Sequence, residues 1–232
     1  CQEELEKLDD YENYLSGLRM KLDQAEKELK DLSDKLTTIR RANAAVLQER
    51  IKAALIDLNF LDVQFEIHCE PLGHYTENGQ DSIEFMISTN LGETVKPLGK
   101  VASGGELSRI MLAVKSVLAD ADAIETLIFD EIDTGISGRT AQKVSEKMAV
   151  IAKKHQVICI THLPQIAAMA DDHYVIEKSA MEQRTITEIY HLSDDASVGE
   201  IARLLGGVEI TDAVMQNARE MKNLAQSKNR LN

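Results

Sequence analysis

A heptad pattern of apolar side chains near the start of the chain constrains its fold more than any other feature. Between positions 8 and 46 the apolar residues recur at steps of three and four, with Glu, Asp, Lys and Arg between them. The seam consists of Leu8, Tyr11, Leu15, Leu18, Leu22, Ala25, Leu29, Leu32, Leu36, Ile39, Asn43 and Val46. A repeat of this length predicts one strand of a coiled coil. The alternative is an ordinary amphipathic helix packed on the domain, and Gly17 leaves open a break near residues 16–17.

After residue 59 the apolar period changes from the helical spacing to two. Apolar and polar residues alternate at 61–69 and again at 83–87, on either side of a turn-rich stretch at 71–81. This pattern predicts an antiparallel hairpin with one solvated face.

Beyond residue 101 short apolar runs are separated by helical patterns. This alternation predicts parallel strands, and therefore an α/β fold in this part of the chain. Strands are predicted at 126–130, 157–161, 173–177 and 185–192. Helices are predicted at 106–118, 137–154, 198–205 and 211–227, with Gly206 and Gly207 as a stop for the third. The predicted domains are a coiled-coil helix at 1–58 and an α/β lobe at 59–232.

A glycine-rich segment stands at the start of the predicted helix at 106–118. It consists of Ser103, Gly104, Gly105 and Glu106. Two glycines let the backbone approach a ligand closely. The first-turn amides of a helix favour an anion, and the serine hydroxyl is a further donor. Simple capping of the helix by Ser103 is the alternative.

Two of the apolar strands end in residues suited to phosphate chemistry. Asp130 and Glu131 follow one strand, and His162 follows the next. Ligands of α/β sheets bind outside the carboxyl ends of the strands. There the first carboxylate would hold Mg²⁺, the second would deprotonate a water, and the histidine would reach a terminal phosphate. Surface acids at a strand end and a structural histidine are the alternatives.

One helical crossover separates each of these segments from the next. Ser103 and Asp130 are 27 residues apart, and Glu131 and His162 are 31 residues apart. The glycine-rich helix start, the acidic strand end and the histidine therefore fall on one edge of the predicted sheet. Each signal is weak alone, and together in this order they are strong.

This order of segments resembles the C-terminal lobe of an ABC-type ATPase head. The segment from Ser103 to Glu106 is similar to the ABC signature motif, and the segment at 127–131 is similar to a Walker B strand. Asp133 resembles the D-loop aspartate, and His162 resembles the switch histidine. A long coiled coil entering such a lobe is the arrangement of the SMC (structural maintenance of chromosomes) class. The resemblance implies a P-loop NTPase-like α/β head that is incomplete in this sequence.

Longer tracts are similar to the RecN family of bacterial DNA repair proteins. They lie at 100–111, 128–138, 161–167 and 202–207 and cover nearly everything after the coiled coil. One departure concerns the P-loop pattern G-x-x-x-x-G-K-[ST], since its nearest approach, at 92–100, has six residues between the glycines. The family carries its P-loop in an N-terminal lobe. We therefore expect a C-terminal piece of a longer protein, and Cys1 in place of Met agrees with this.

The resemblance implies an ATPase in which two heads sandwich two ATP molecules. Glu131 would be the general base, Asp130 would help to place Mg²⁺, and His162 would sense the γ-phosphate. Asp133 would join the two sites across the interface. The residues that would bind the ATP held by the opposite head are Ser103, Gly104, Gly105 and Glu106.

The resemblance also implies recombinational repair of DNA double-strand breaks. The implied partners are the N-terminal P-loop lobe of the same protein, a second copy bound through the heads, DNA ends and the recombinase RecA. The implied location is the cytoplasm, in association with the nucleoid, and the chain alone is expected to be inactive as an ATP hydrolase. A non-catalytic coiled-coil dimerisation or docking module is the alternative, although a scaffold has no use for Glu131 and His162.

The charge of the chain argues against a generally phosphate-neutralising surface. The net charge is −13, and residues 1–59 contribute only 10 basic and 13 acidic side chains, so the acidic excess lies on the lobe. Aromatic residues make up 4% of the chain and Trp is absent, which disfavours a stacking platform for single-stranded nucleic acid. Lys96, Lys100 and Arg109 are either contacts to phosphate or DNA, or plain solvated side chains.

The positions of the cysteines and the lengths of the apolar runs indicate in which cellular compartment we expect the protein. Cys1, Cys69 and Cys159 are far apart and form neither a disulfide framework nor a metal-binding pair, which fits a reducing cytoplasm. No apolar run approaches the roughly 18 residues of a membrane span, so we expect no membrane partner.

Overall fold

The computed structural model of the chain describes residues 2–101, 103–121, 123–181, 184–207 and 209–231. Cys1, Ala102 in the tract at 100–111, and the side chain of Leu8 lie outside this description. The helices are α1 (Gln2–Asp57), α2 (Gly104–Leu118), α3 (Gly138–Ala152), α4 (Pro164–Ala167), α5 (Asp194–Gly206) and α6 (Asp212–Leu231). The strands are β1 (Gln64–Thr76), β2 (Gly79–Ser88), β3 (Lys96–Pro97), β4 (Thr126–Phe129), β5 (Gln156–Cys159), β6 (Tyr174–Met181) and β7 (Arg184–His191).

The chain divides into two compact units. The first comprises the helix up to Glu49 together with Phe65–Met86, and the second comprises Arg50–Gln64 together with the residues described from Ile87 onward. This division differs from the predicted boundary after residue 58, because the hairpin belongs with the helix rather than with the α/β layer.

In the first unit, α1 is continuous through Gly17, and the break left open by the sequence is not observed. The side chains of the heptad seam that are more than 40% exposed are Tyr11, Leu18, Leu22, Leu29, Leu32, Ile39 and Val46. The hairpin of the same unit therefore leaves these seven side chains uncovered. The apolar stripe remains open to a partner outside the chain.

The β1–β2 hairpin is joined to a different stripe of α1. The Thr37 hydroxyl donates to Asp81 Oδ1 at 2.8 Å and Arg40 Nη1 donates to Oδ2 at 3.1 Å. The Thr37 hydroxyl is also the main reason why the pKa of Asp81 lies below its usual value. Ile67 N donates to Gln48 Oε1 at 3.1 Å further along the helix. These contacts between residues distant in sequence hold the predicted hairpin on the helix.

The second unit is built on a pair of parallel strands. β4 pairs with β5 in the register Thr126↔Gln156 to Phe129↔Cys159, which confirms the predicted parallel order. α2 packs on α3, and α3 packs on β5. Leu127 and Phe129 are buried on one face of the strand pair. On the opposite face Ile128 is 67% exposed.

The remaining elements complete the second unit. β6 and β7 pair antiparallel, and α4, α5 and α6 enclose a small cluster of buried apolar side chains. Gly207 ends α5 with a φ of 69°, as predicted, and its N–H donates to Arg203 O at 2.9 Å. Within the residues described, no helix is both long and apolar enough to cross a membrane.

Candidate functional site

The candidate site lies where β4 and β5 end together. Phe129 is paired with Cys159 at the end of the ladder, and Ile160 N donates to Phe129 O at 3.1 Å. Asp130 and His162 follow these strand ends, so both lie at the predicted edge.

Helix α2 begins at this edge with a serine cap. Ser103 has an extended backbone, and its hydroxyl oxygen accepts from Glu106 N at 3.4 Å. Glu106 lies in the first turn, where an acidic side chain complements the helix dipole. The capping role considered for Ser103 is therefore observed.

The two glycines of the helix start lie against the loop that follows β4. A Cβ on Gly104 would lie 2.7 Å from Glu131 Oε2, and a Cβ on Gly105 would lie 2.9 Å from the Glu131 carbonyl oxygen. At Gly105 the neighbouring atom belongs to the backbone, so only glycine allows this approach without displacing the loop, whereas at Gly104 it is the end of the flexible Glu131 side chain. Glu131 has a φ of 55°, and its carboxylate lies next to the N-terminal turn of α2, where a negative charge is stabilised.

The next residues of α2 hold the same loop by hydrogen bonds. The Ser108 hydroxyl donates to Asp130 O at 2.8 Å, and Arg109 Nη1 donates to Thr134 O at 2.8 Å. The Arg109 guanidinium also lies 5.5 Å from the centre of the Phe60 ring. Burial lowers the pKa of Arg109, and the nearby Glu106 carboxylate opposes that shift.

Both sequence interpretations of Arg109 are wrong, since its side chain is neither solvated nor presented to a phosphate or DNA. Arg109 is 8% exposed and bonded to carbonyl oxygens of its own chain. The signal that could have found this role is helical spacing. Gly105, Arg109, Leu112 and Ala113 are all buried and fall at the intervals of one helix face.

Asp133 and His162 are in direct contact. Asp133 is 4% exposed, and its Oδ2 accepts from the Thr161 hydroxyl at 2.6 Å and from His162 N at 2.8 Å. His162 Nδ1 lies 3.0 Å from the same oxygen. This contact ties the end of β5 to the loop after β4, and Thr161 is a further residue of the site that was not predicted from the sequence.

The predicted catalytic pair is not in contact in this structure. Glu131 lies against α2 and His162 lies against Asp133, and across the described part of the chain no hydrogen bond joins Glu131 to His162. The predicted residues therefore lie at one edge of the sheet, but they form two separate contacts, one between Glu131 and α2 and one between His162 and Asp133.

The oxygen atoms at this edge fit a magnesium ion only when other ligands are added. Asp130 is exposed, and its Oδ1 accepts from Glu131 N at 2.9 Å. No group of three or more His, Cys, Asp or Glu residues suited to a metal occurs among the residues described. Mg²⁺ commonly combines one or two carboxylates with waters and substrate phosphates, and this donor set suits that arrangement.

Cys159 is the last residue of β5, and its thiol is a weak nucleophile. Burial, followed by the negative charges of Asp133 and Asp130, raises the pKa of the Cys159 thiol to about 12. A thiol with so high a pKa is almost entirely protonated near neutral pH and is a poor nucleophile.

Comparison with known proteins gives matches along almost the entire chain. The DNA repair protein RecN of Halalkalibacterium halodurans is 42% identical over 230 residues, which cover 97% of this chain and 41% of that protein. RecN of Bacillus subtilis is 39% identical over 235 residues, which cover 95% and 41% respectively. The chain thus spans about two-fifths of the length of these curated relatives. No protein-family model matches it.

Among solved structures, the chain resembles an Smc head domain with a coiled coil and joint from Pyrococcus yayanosii. The TM-score is 0.50 and the sequences are 19% identical, over 70% of this chain and 29% of that one. This likeness confirms the predicted α/β fold of an SMC-type head lobe with a long N-terminal helix. The chain is therefore similar to the RecN DNA repair proteins over about two-fifths of their length, and its α/β fold resembles that of part of an Smc head.

Proposed function

We propose that this chain is the C-terminal part of an SMC-like ATPase that acts in DNA repair. The observation that carries the proposal is the arrangement at one edge of the β4–β5 pair. The glycine-rich start of α2, the Asp130–Glu131 pair and His162 all lie there, in a homologue of RecN.

Each residue at the edge has a part in the proposed hydrolysis of ATP. Asp130, together with phosphate oxygens, would hold Mg²⁺, and this ion would supply positive charge that offsets the charge of the phosphates. Glu131 orients and deprotonates the attacking water, and His162 contacts the γ-phosphate. The segment from Ser103 to Glu106 binds the ATP of a second head, and Asp133 links the two sites.

The site requires the N-terminal P-loop lobe of the same protein. The sequence contains no P-loop, so nothing in it matches the usual cradle for the α- and β-phosphates. One face of the β4–β5 pair supports the docking of another lobe there, because Ile128, Ile158 and Ile160 are 67%, 44% and 50% exposed. Parallel sheets are normally covered on both faces.

The exposed seam of α1 supports a coiled-coil arm that ends at this head. Seven of its apolar residues are more than 40% exposed, and a second helix of the longer protein would bury them. Hydrolysis would then be coupled to engagement of two heads and movement of the arms. DNA ends and RecA as partners, double-strand breaks as substrate, and a cytoplasmic, nucleoid-associated location follow from the family resemblance.

A non-catalytic dimerisation or docking module is the second candidate function. The exposed seam of α1 is the observation that favours it. A docking module would not depend on the carboxylate of Glu131, which gives a direct way to separate the two functions.

The test is Glu131→Gln in the full-length protein. The amide keeps the shape of the side chain but cannot accept a proton, so we expect ATP binding to persist while turnover falls by about 10²- to 10⁴-fold. Head engagement should become long-lived in the presence of ATP. Glu125→Gln is the matched control, since this exposed acid precedes β4 and should leave turnover unchanged. Normal turnover in Glu131→Gln contradicts the proposed role of this residue.

A further inference from the structure

The buried guanidinium of Arg109 makes two hydrogen bonds to the loop that carries Asp133. Its Nη1 donates to Ile132 O at 3.4 Å and to Thr134 O at 2.8 Å. Arg109 is 8% exposed, and an arginine side chain keeps its charge in a folded protein. A buried charge is costly unless its donors have acceptors, so the native state requires these two carbonyl oxygens to face Arg109.

The two acceptor carbonyls belong to the residues on either side of Asp133. Because one nitrogen binds both carbonyl oxygens, the backbone of Asp133 is fixed before and after its Cα atom. The Asp133 carboxylate in turn accepts from the Thr161 hydroxyl at 2.6 Å and from His162 N at 2.8 Å. Arg109 therefore sets the position of Asp133, and Asp133 sets the position of the His162 backbone.

An aromatic ring at the end of α1 contributes to the surroundings of Arg109. The guanidinium carbon lies over the Phe60 ring, 5.5 Å from its centre, and Phe60 is 7% exposed. A cation over an aromatic face is attracted to it, and more strongly where water is excluded. Phe60 N donates to Leu55 O at 3.1 Å, and Leu55 is a fully buried residue of α1 in the same unit. Arg109 therefore contacts both the end of α1 and the loop after β4.

We propose that Arg109 and Phe60 are a positioning pair that couples the end of α1 to the Asp133 loop and, through this loop, to the backbone of His162. Neither is a catalytic residue, since both are buried. Arginine is specifically required, because a lysine ammonium lacks the planar group that lies over a ring while it donates to two carbonyls. The coupling stands on these contacts, and only its effect on ATP hydrolysis rests on the proposed function.

Amide hydrogen exchange, followed by nuclear magnetic resonance in the 232-residue chain, tests the coupling. His162 N–H, which is bonded to Asp133, reports on the loop. Ile160 N–H donates to Phe129 O at 3.1 Å and reports on the strand pair. In Arg109→Lys we expect exchange at His162 to accelerate by about 10-fold and exchange at Ile160 to stay unchanged. Unchanged exchange at His162, or equal acceleration at both amides, overturns the proposal.

Two further variants test the pair and control for the substitution. Phe60→Leu removes the ring but keeps an apolar side chain, so exchange at His162 should accelerate by a smaller factor. In the double variant the acceleration should be less than the product of the two single effects, because the residues act together. Arg139→Lys is the matched control, since Arg139 is exposed in α3 and its replacement should change neither amide.

The Phe60 variant also keeps the proposal testable if Arg109→Lys does not fold, which circular dichroism checks. A folded Phe60→Leu chain with wild-type exchange at His162 overturns the proposal. Independent effects of the two single substitutions in the double variant overturn it as well.

A kinetic arm separates this inference from the proposed function. In the full-length protein, Arg109→Lys should lower kcat by about 10- to 100-fold and change KM for ATP much less, because it disturbs orientation rather than binding. A wild-type protein without ATPase activity contradicts the proposed function and leaves the coupling to the exchange data. An active wild-type protein whose His162 exchange is unaffected by Arg109→Lys contradicts the coupling and leaves the ATPase intact.

Discussion

Gly104 and Gly105 bring the first turn of α2 into close contact with the loop that follows β4. Their position before a helix predicts a close backbone approach, and the structure contains such an approach to Glu131 and Thr134 of the same chain. The capping role of Ser103 follows from residue type and position alone. The identity of the group that the glycines face depends on how the loop docks, which local sequence does not encode.

Cys159 provides a prediction at the scale of one residue. With its pKa raised to about 12, the Cys159 thiol should react with iodoacetamide at pH 8 on the order of a thousandfold more slowly than in the unfolded chain. The reason is its small thiolate fraction, which burial and the charges of Asp133 and Asp130 suppress. Mass spectrometry of labelled peptides over time measures the rate.

Half-buried Cys69 is the internal comparison for this experiment, and Cys159→Ser confirms the assignment of the slow peptide. If Cys159 reacts with iodoacetamide as fast in the native chain as in the denatured chain, the thiol does not have the buried, negatively charged surroundings described here.

At the scale of elements, periodicity predicted the main helices and strands, and the differences have local causes. β1 extends to Thr76 through the turn-rich stretch, because the tight turn is confined to residues 77–78. α1 tolerates Gly17, since a single glycine costs a helix only about 1 kcal/mol. The attachment of the hairpin to α1 through Asp81 was not predictable, because it joins residues 41 to 44 positions apart.

The junction between β6 and α5 gives a prediction about pH. His173 Nδ1 lies 2.9 Å from the buried Ser197 hydroxyl oxygen, and burial, then the charge of Lys222, lower the pKa of His173. The native state therefore disfavours the protonated imidazole. This contribution to stability is present above the ordinary histidine value of 6.5 and is lost as the pH falls through the lowered native value.

Urea unfolding between pH 7.5 and 5 measures this dependence. We expect the free energy of unfolding to fall with acidification, and His173→Gln to reduce that slope. His74→Gln is the matched control, since His74 is exposed in the hairpin and should leave the slope unchanged. If the free energy of unfolding depends on pH in the same way in wild type and in His173→Gln, burial of His173 does not contribute to the pH dependence of stability.

For the whole molecule, the order of segments was sufficient to predict an SMC-type head lobe. The contacts that organise the site were not predictable, because Arg109 to Thr134 and Asp133 to His162 join residues 25 and 29 positions apart. Periodicity determines which side of an element is buried, and docking determines which atoms meet. The net charge of −13 is that of these 232 residues only.

The central claim is that this chain completes a composite ATPase and has no such activity alone. ATP hydrolysis should be measured for the chain, for the separately produced N-terminal P-loop lobe, and for the two together, with Glu131→Gln in the mixture as the control. We predict no hydrolysis by either part, hydrolysis by the mixture, and its loss in the variant. Hydrolysis by this chain alone, or none by a mixture shown to associate, would contradict the claim.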